Sequence, residues 1–308
     1  MDFPVEQLRA FAAVIGAGTF EAAAARLHVT PSAVSQRIKA LEIQVGTVVV
    51  RRSQPAAPTS AGLVLLRLAR QVDLLAAEAE AELSGHGVGG QGRRAAVTVV
   101  VNADSLATWF PAVFAELARD DGLELEVLRE DETVSAELLR DGRVMAAVTT
   151  DGRPVRGSTT QVLGTVRYAA MAAPGFARRW FADDPVQGLA VAPMVNFDRS
   201  DQLQSSLIRE VTGRRANPPT HHVPDSTQFV TAVAAGLGWG MIPEVQDPAD
   251  GTLELLDPAW TRGVRLYWQR WKLDSPALAR VSDAVLGAAR TSGILAATDR
   301  GDGDRQTG

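Results

Sequence analysis

The first 46 positions of the chain carry apolar residues at helical spacing. An opening set recurs at steps of three and four residues, which predicts one face of an amphipathic helix. Its members are Val5, Leu8, Ala12 and Ile15. The alanine-rich stretch 20–27 predicts a second short helix, and a third is predicted from Pro31 to about Val45 with Thr30 as its N-cap. Three short helices are therefore expected to open the chain.

The third predicted helix has an apolar face and a polar face. Val34, Ile38 and Leu41 are spaced to face the core, while four polar residues form a stripe on another side. The polar stripe consists of Ser32, Ser35, Gln36 and Lys39. A helix, a short turn and a helix with such a stripe form the arrangement that reads base edges in the major groove of DNA. A solvated helix face is the alternative interpretation of the same stripe.

A strand-like segment and a turn follow the third helix. Residues 48–52 read as a strand and residues 54–58 as a turn, which together predict a β-ribbon, or wing, that lies against a neighbouring phosphate strand. Lysine and arginine supply phosphate contacts, while short polar side chains reach base edges. The residues expected to contact DNA are Thr30, Ser32, Ser35, Gln36, Arg37, Lys39, Arg51 and Arg52.

Residues 59–85 predict one long linker helix. Apolar residues recur on it at steps of three and four, the narrow seam of a helix that packs against another helix. The seam consists of Leu65, Leu68, Val72, Leu75 and Ala79. A core helix of its own domain is one interpretation of this seam. Its position between the predicted head, residues 1–58, and a glycine-rich hinge, residues 86–92, favours a dimerisation helix.

From residue 93 onward, buried strands alternate with helices. The predicted strands are 96–101, 123–128, 144–149, 166–172, 189–197, 240–242 and 264–271. The predicted helices are 106–119, 134–140, 201–211, 226–235 and 276–292. This alternation predicts a multidomain α/β protein with mostly parallel strands in its body. The expected effector domain, 93–297, has one subdomain at about 93–163 and 264–297 and a second at about 164–263, and 298–308 form a disordered tail.

The composition restricts the classes of protein to consider. Hydrophobic residues make up 46% of the chain and the mean hydropathy is -0.00, which excludes collagen-like, low-complexity and wholly disordered chains. The chain has no cysteine, so it has no disulfide and no thiolate metal site. Its start lacks the pattern of a signal peptide and no stretch is apolar enough to span a membrane, so we expect a cytoplasmic protein without a membrane partner.

The net charge of -5 conceals an uneven distribution. Residues 1–70 carry eight basic and four acidic side chains, a sum of +4, so residues 71–308 carry -9. A basic head on an acidic body is expected when only the head meets phosphate. The acidic body favours a cationic effector.

The stretch FEAAAARLHVTPSAVSQRIKALEIQVG, together with the wing, the TSAG helix start and the long helix after it, resembles the winged helix-turn-helix of the LysR-type transcriptional regulators. Segments NADSLATWFPAVF, MAAPGFARRWF, NFDRSDQLQ and HHVPDSTQFVTAVAAGLGWGMIPE resemble the ArgP/LysG branch of that family, also called IciA. The resemblance implies an effector domain of two α/β subdomains similar to periplasmic binding proteins. It also implies a homodimer or homotetramer that binds double-stranded DNA, senses L-lysine or L-arginine and controls an amino-acid exporter gene. RNA polymerase is a further expected partner.

Ligands of such a body bind at the carboxyl ends of strands, where several polar residues are predicted. The effector-binding candidates are Asp104, Ser105, Thr150, Asp198 and Asp225. The aspartates can accept charge-assisted hydrogen bonds from the cationic groups of lysine or arginine, and Ser105 can contact the α-carboxylate. Helix capping is the alternative role of each aspartate, because each precedes a predicted helix.

No nucleophile–base set, metal-ligand set or cofactor motif stands out, so we expect neither an enzyme nor a cofactor. The adjacent His221 and His222 point to opposite faces of a strand, and no third metal ligand accompanies them. Two other classes of protein stay open. One is a solute-binding protein of the periplasmic type, which the absence of a signal peptide disfavours. The other is a replication-origin or architectural DNA-binding protein of the IciA type.

Overall fold

The computed structural model describes residues 3–83, 94–119, 122–130, 132–292 and 294. Its helices are α1 (Val5–Ala17), α2 (Phe20–Arg26), α3 (Pro31–Val45), α4 (Ser60–Leu83), α5 (Ala103–Ala107), α6 (Pro111–Leu117), α7 (Glu132–Arg140), α8 (Pro174–Trp180), α9 (Pro185–Val191), α10 (Leu203–Thr212), α11 (Ser226–Ala234) and α12 (Pro276–Thr291). Its strands are β1 (Val50–Arg51), β2 (Ala57–Pro58), β3 (Ala95–Val101), β4 (Leu123–Arg129), β5 (Ala146–Thr149), β6 (Ser158–Ala172), β7 (Met194–Asn196), β8 (Thr220–His222), β9 (Gly240–Pro243), β10 (Glu254–Leu255) and β11 (Thr261–Trp271). The predicted hinge at 86–92 and the predicted tail at 298–308 lie outside the described residues.

Local caps set the ends of the three helices of the head. The Thr19 and Thr30 hydroxyls each accept the backbone N–H three residues further on, at 3.1 and 3.2 Å, and so begin α2 and α3. Gly18 and Gly46 follow α1 and α3 with φ of 74° and 78°, a left-handed conformation that glycine adopts without steric cost. The predicted start of α3 is therefore confirmed.

The core of the head confirms one predicted helix face and shifts another. The buried residues of α3 are Val34, Ile38 and Leu41, as predicted. In α1, Leu8, Phe11 and Val14 line the core, whereas Val5 of the predicted stripe is 41% exposed. Because apolar residues cover most of the circumference of α1, spacing alone does not select the face that packs.

Hydrogen bonds from the backbone hold the wing to the head. β1 and β2 pair antiparallel. The Glu42 carboxylate of α3 accepts the N–H of Val49 at 3.0 Å and of Val50 at 3.4 Å. The Ala56 N–H donates to the Gly18 carbonyl at 2.7 Å, which ties the turn of the wing to the end of α1. The wing is therefore fixed to both α1 and α3.

Two compact units make up the chain. The first combines Met1–Val101, Ala115–Thr160 and Trp268–Ala284, and the second combines Asn102–Phe114, Gln161–Tyr267 and Val285–Gly308. In the first unit, β3 pairs in parallel with both β4 and β5, as expected for an α/β body. The long helix α4 packs against α1 of the head and against β3.

In the second unit, β6 pairs antiparallel with β9 and β10, and β7 pairs in parallel with β8. A buried cluster fills its centre and consists of Ala169, Met171, Val195, Phe229, Val233, Ile242 and Leu253. Helix α11 packs against both α5 and β7. This packing brings the polar residues at the start of α5, at the end of β7 and at the start of α11 into one region of the unit.

Two predicted elements are wrong. The helix predicted over 106–119 is two helices, because the chain turns at Phe110, whose N–H donates to the Ser105 carbonyl at 3.0 Å, and Pro111 then starts α6. The strand predicted over 189–197 begins as helix. Asp184 caps α9 and Pro185 occupies its first position, so only Met194–Asn196 is strand. In the part of the chain that the structure describes, no helix has the length and apolar character that a membrane span requires.

Candidate functional site

The outer face of α3 forms the candidate DNA-reading surface, which consists of Ser32, Ser35, Gln36 and Lys39. Ser32, Gln36 and Lys39 are exposed and Ser35 is half-buried. The Thr30 hydroxyl caps α3 and forms a hydrogen bond of 2.9 Å with the Ser32 hydroxyl. Thr30 therefore holds the start of this surface in place.

The basic residues predicted to contact phosphate differ in their contacts within the protein. A guanidinium nitrogen of Arg37 lies 2.8 Å from the Glu6 carboxylate of α1, and the Arg37 side chain is 30% exposed. The Arg52 guanidinium lies 5.4 Å from the centre of the Phe20 ring, a cation–π contact. The other two, Lys39 and Arg51, are exposed. Arg37 is thus the member of the set that is most engaged in holding two helices together.

Glu42 is a functional residue that the sequence prediction missed. Its carboxylate binds the wing backbone seven and eight residues later in the chain. An acidic residue in a DNA-binding helix does not suggest a role in DNA contact, because phosphate would repel it. Only the fold shows that its partners are backbone N–H groups.

Asp104 lies at the centre of a hydrogen-bonded set in the second unit, called here the Asp104 cluster. Its two carboxylate oxygens accept the Tyr168 and Ser226 hydroxyls, each at 2.6 Å. Gln246 donates to the Ser226 oxygen at 3.0 Å. The N-cap of α5 is Asn102, so the alternative capping role does not apply to Asp104. A carboxylate has about four acceptor positions, so Asp104 can still bind a cation.

Three buried side-chain oxygen atoms of the second unit have no hydrogen-bond partner among the residues that the structure describes. They are the Ser105 hydroxyl and the side-chain carbonyls of Asn196 and Gln204, and the three residues are 1%, 6% and 0% exposed. The Asn196 amide nitrogen donates to the Asp201 backbone carbonyl at 3.3 Å. Buried polar atoms without a partner cost free energy, and a bound molecule can supply the partner.

Of the remaining predicted effector residues, the two aspartates form hydrogen bonds with residues close in sequence, and Thr150 belongs to the first unit. Asp198 accepts the Ser200 hydroxyl at 2.6 Å and its N–H at 2.7 Å, and these hydrogen bonds hold the pKa of Asp198 below its ordinary value. Asp225 accepts the Gln228 N–H at 2.9 Å as the N-cap of α11, so the alternative capping role applies there. Thr150 is exposed and belongs to the first unit, and its role stays a prediction.

Asp201 is an acidic residue that the sequence prediction missed. Its carboxylate accepts the N–H of Phe197 at 2.9 Å and of Leu203 at 3.0 Å. Burial raises the pKa of Asp201, and the negative charge of Asp104 raises it further. The sequence DRSDQ at 198–202 contains two aspartates, and no pattern in it indicates which one is buried.

Two family profiles match this chain. "Bacterial regulatory helix-turn-helix protein, lysR family" matches residues 5–63, and "LysR substrate binding domain" matches residues 90–290. The chain belongs to the LysR family. The first match spans the head, the wing and the start of α4, and the second extends from the segment before β3 into α12.

This LysR-type chain is similar to proteins named LysG and ArgP. The "lysine export transcriptional regulatory protein LysG" of Corynebacterium glutamicum is 42% identical over 292 residues, which are 92% of this chain and 97% of the relative. The crystal structure of ArgP from Mycobacterium tuberculosis is 47% identical with a TM-score of 0.81, and the match covers 94% of this chain and 98% of that one. Full-length LysG from C. glutamicum with bound effector Arg is 40% identical with a TM-score of 0.75, and the match covers 95% and 99%.

These similarities test the predictions made for a LysR-type regulator. The predicted ArgP/LysG branch is confirmed by the names of the relatives. The predicted fold class, a winged helix-turn-helix followed by an α/β effector domain, is confirmed by the two family matches and the two solved structures. The chain is therefore a DNA-binding transcription regulator.

Proposed function

We propose that this regulator responds to a basic amino acid, L-lysine or L-arginine, bound in its second unit. The observation that carries the proposal is the Asp104 carboxylate, which two hydroxyl donors orient and which forms an acidic pair with the partly buried Asp201. An ammonium or guanidinium group complements such a pair through charge-assisted hydrogen bonds. The arginine effector bound to the similar LysG of C. glutamicum supports the same class of ligand.

The two carboxylates have different parts in the proposed complex. Burial raises the pKa of Asp201, so a cationic ligand favours its ionised form and lowers that pKa. Asp104 is oriented by its two hydroxyl donors. The buried oxygens of Ser105 and Asn196 can accept hydrogen bonds from the ligand, and the Ser105 hydroxyl can also donate to a carboxylate. Asp198, whose pKa is lowered, adds negative charge to the same unit.

Thermal unfolding of the full chain tests the effector. L-arginine or L-lysine at about 100 times its dissociation constant stabilises the folded chain by about 2.7 kcal/mol, whereas L-citrulline, neutral and of similar shape to arginine, has no effect. Asp104→Asn and Asp201→Asn are expected to abolish the rise in melting temperature. The matched control is Asp183→Asn, an exposed aspartate of the same unit, which keeps it. A wild-type chain whose melting temperature responds to neither basic amino acid contradicts the proposed effector.

The DNA-reading surface of α3 is proposed to select the operator, while the basic residues of the wing bind phosphate. Gln36→Ala should weaken binding to a duplex selected from a random pool by about 1–3 kcal/mol and leave binding to unselected DNA unchanged. Arg51→Ala should weaken both and lower the slope of affinity against salt concentration by about 1. Equal losses for Gln36→Ala on both duplexes would remove its base-reading role.

The outward face of α4 supports a dimer. Val64 and Leu75, three turns apart, are 58% and 39% exposed, whereas Leu66 and Ala69 on the opposite face are buried. Leu65, the first residue of the predicted seam, is also buried, so the outward face begins at Val64 instead. A two-fold pair of α4 helices presents two heads to half-sites about 34–36 Å apart, or multiples of that distance. Leu75→Lys should convert the dimer to a monomer in sedimentation, and an unchanged mass would contradict this interface.

Control of an amino-acid exporter gene is the biological output that we propose. The name of the similar lysine export regulator from C. glutamicum supports it. Transcript levels of exporter genes next to the regulator gene are expected to change with added lysine or arginine, and deletion of the regulator gene should abolish the change. A replication-origin or architectural role instead predicts DNA binding that neither amino acid alters.

A further inference from the structure

The N-terminus of α12 is completed by a side chain from α4. Glu78 Oε1 accepts the Ser275 hydroxyl at 2.7 Å and the backbone N–H of Ala277 at 2.8 Å. Pro276 begins α12 without an N–H, and Ser275 Oγ accepts the N–H of Leu278 at 3.1 Å. Helix starts leave such N–H groups without a partner inside the helix. Because Ala277 is fully buried, loss of Glu78 would leave a buried N–H without its acceptor.

A second contact holds α4 at Arg67, eleven residues before Glu78. The Arg67 guanidinium lies 4.9 Å from the centre of the Trp271 ring, at the end of β11. Trp271 is buried and donates its indole N–H to the Val144 carbonyl at 3.3 Å. The backbone of Gly142 comes so close that a Cβ there would lie 2.4 Å from the Cβ of Arg67. Two contacts about 16 Å apart along one helix fix its direction as well as its position.

The stretch of α4 between these contacts also binds the head. Asp73 lies between Arg67 and Glu78, and its carboxylate accepts Arg9 Nε of α1 at 3.0 Å. The same three turns of α4 therefore contact the DNA-binding head on one side and the effector domain on the other.

The segment that α4 holds, residues 271–277, lies between two crossings of the chain. β11 passes from the second unit into the first at residues 267–268, and α12 passes back at residues 284–285. The contacts of Arg67 and Glu78 therefore join α4, which binds the head, to a segment that the chain connects to the second unit at both ends.

We infer that Glu78 and Arg67 are positioning residues that couple α4, and with it the DNA-binding head, to the ligand state of the second unit. The inference rests on the proposed function for the identity of the ligand. Loss of the Glu78 contact leaves the DNA-reading surface and the acidic pair of Asp104 and Asp201 in place. It removes the effect of ligand binding at that pair on the affinity for DNA.

The first test measures the affinity of the full chain for the selected duplex with and without L-arginine. In Glu78→Ala the ratio of the two dissociation constants is expected to become about 1, with the rise in melting temperature caused by arginine retained. Glu78→Gln keeps an oxygen at the position of Oε1 and is expected to give an intermediate ratio. The matched control is Glu82→Gln, an exposed glutamate one turn further along α4, which keeps the wild-type ratio. A wild-type ratio in Glu78→Ala overturns the inference.

The second test needs no effector. The chain has no cysteine, so spin labels can be attached after Leu83→Cys on α4 and Asp283→Cys on α12, two exposed positions of the first unit. Glu78→Ala should broaden the distribution of distances between the labels, and Glu82→Gln should leave it narrow. An unchanged distribution in Glu78→Ala overturns the inference. A wild-type chain whose DNA affinity and melting temperature ignore arginine contradicts the proposed effector alone, and the label distances then decide whether Glu78 holds α4.

Discussion

Tyr168→Phe removes one hydroxyl from the Asp104 cluster and leaves the aromatic ring in place. The hydroxyl donates to the Asp104 carboxylate at 2.6 Å, and the tyrosine is 5% exposed. Asp104 stands on α5, Tyr168 on β6 and the second donor, Ser226, on α11. The lost hydrogen bond therefore joins separate elements of the second unit, and its loss is expected to destabilise that unit.

The magnitude follows from the charge and burial of the partners. Hydrogen bonds to charged groups contribute about 1.5–3 kcal/mol, and because Asp104 is half-buried and keeps its second donor, we expect about 2 kcal/mol. A loss of that size lowers the melting temperature of a domain of 150–250 residues by about 4–8 °C. Thermal unfolding of the full chain, followed by tryptophan fluorescence, measures it. The matched control is Tyr267→Phe, whose ring stays next to Arg265 and whose expected change is within about 0.5 kcal/mol.

A double-mutant cycle separates the hydrogen bond from other effects of the lost hydroxyl. Asp104→Asn combined with Tyr168→Phe should cost less than the sum of the two single changes, with a coupling of about 1–2 kcal/mol. Equal melting temperatures for Tyr168→Phe and Tyr267→Phe, or additive single changes in the cycle, would refute the assigned role of this hydrogen bond.

Three further changes test the head and the acidic pair. Gly62→Ala should cost about 1–3 kcal/mol in urea unfolding, because a Cβ there would lie 2.2 Å from the Val49 carbonyl oxygen. Gly287→Ala, in open space on α12, should instead raise the free energy of unfolding by about 0.5–1 kcal/mol. A change of the same sign for both variants would contradict the clash at Gly62. Thr30→Ala removes the N-cap of α3 and should cost about 1 kcal/mol in the same assay, with a neutral result counting against the cap. Burial raises the pKa of Asp201 in the folded chain, so its contribution to stability is present at low pH and lost as pH rises through that pKa. The melting temperature of Asp201→Asn relative to wild type should therefore increase from about pH 4 to about pH 7, and a difference independent of pH would count against this burial cost.

Several features of this protein follow from signals that lie within a few residues of one another. The caps Thr30 and Asp225 each bind an N–H three residues ahead, so a short stretch of sequence contains both partners. The buried face of α3 likewise follows from spacing within one helix. The same spacing misplaces the packed face of α1, where Phe11 and Val14 compete with the predicted stripe. Local patterns thus predict a helix start at a recognised cap such as Thr30, and they predict the buried face of a helix only when one apolar stripe is clearly dominant.

The sequence by itself determined the winged helix-turn-helix, the α/β effector domain and the branch of the LysR family, because each rests on periodicity, turn residues or extended similarity. Only the tertiary structure decided which acidic side chains have a role beyond their own helix. Asp104 meets donors 64 and 122 residues away, and Glu78 meets the start of α12 about 200 residues further along the chain. Asp201 and Asp198 are three residues apart, yet burial raises the pKa of one and local hydrogen bonds lower that of the other. The physical reason is that solvation and pairing of a charge depend on which distant segments pack around it, and no pattern along the chain specifies that packing.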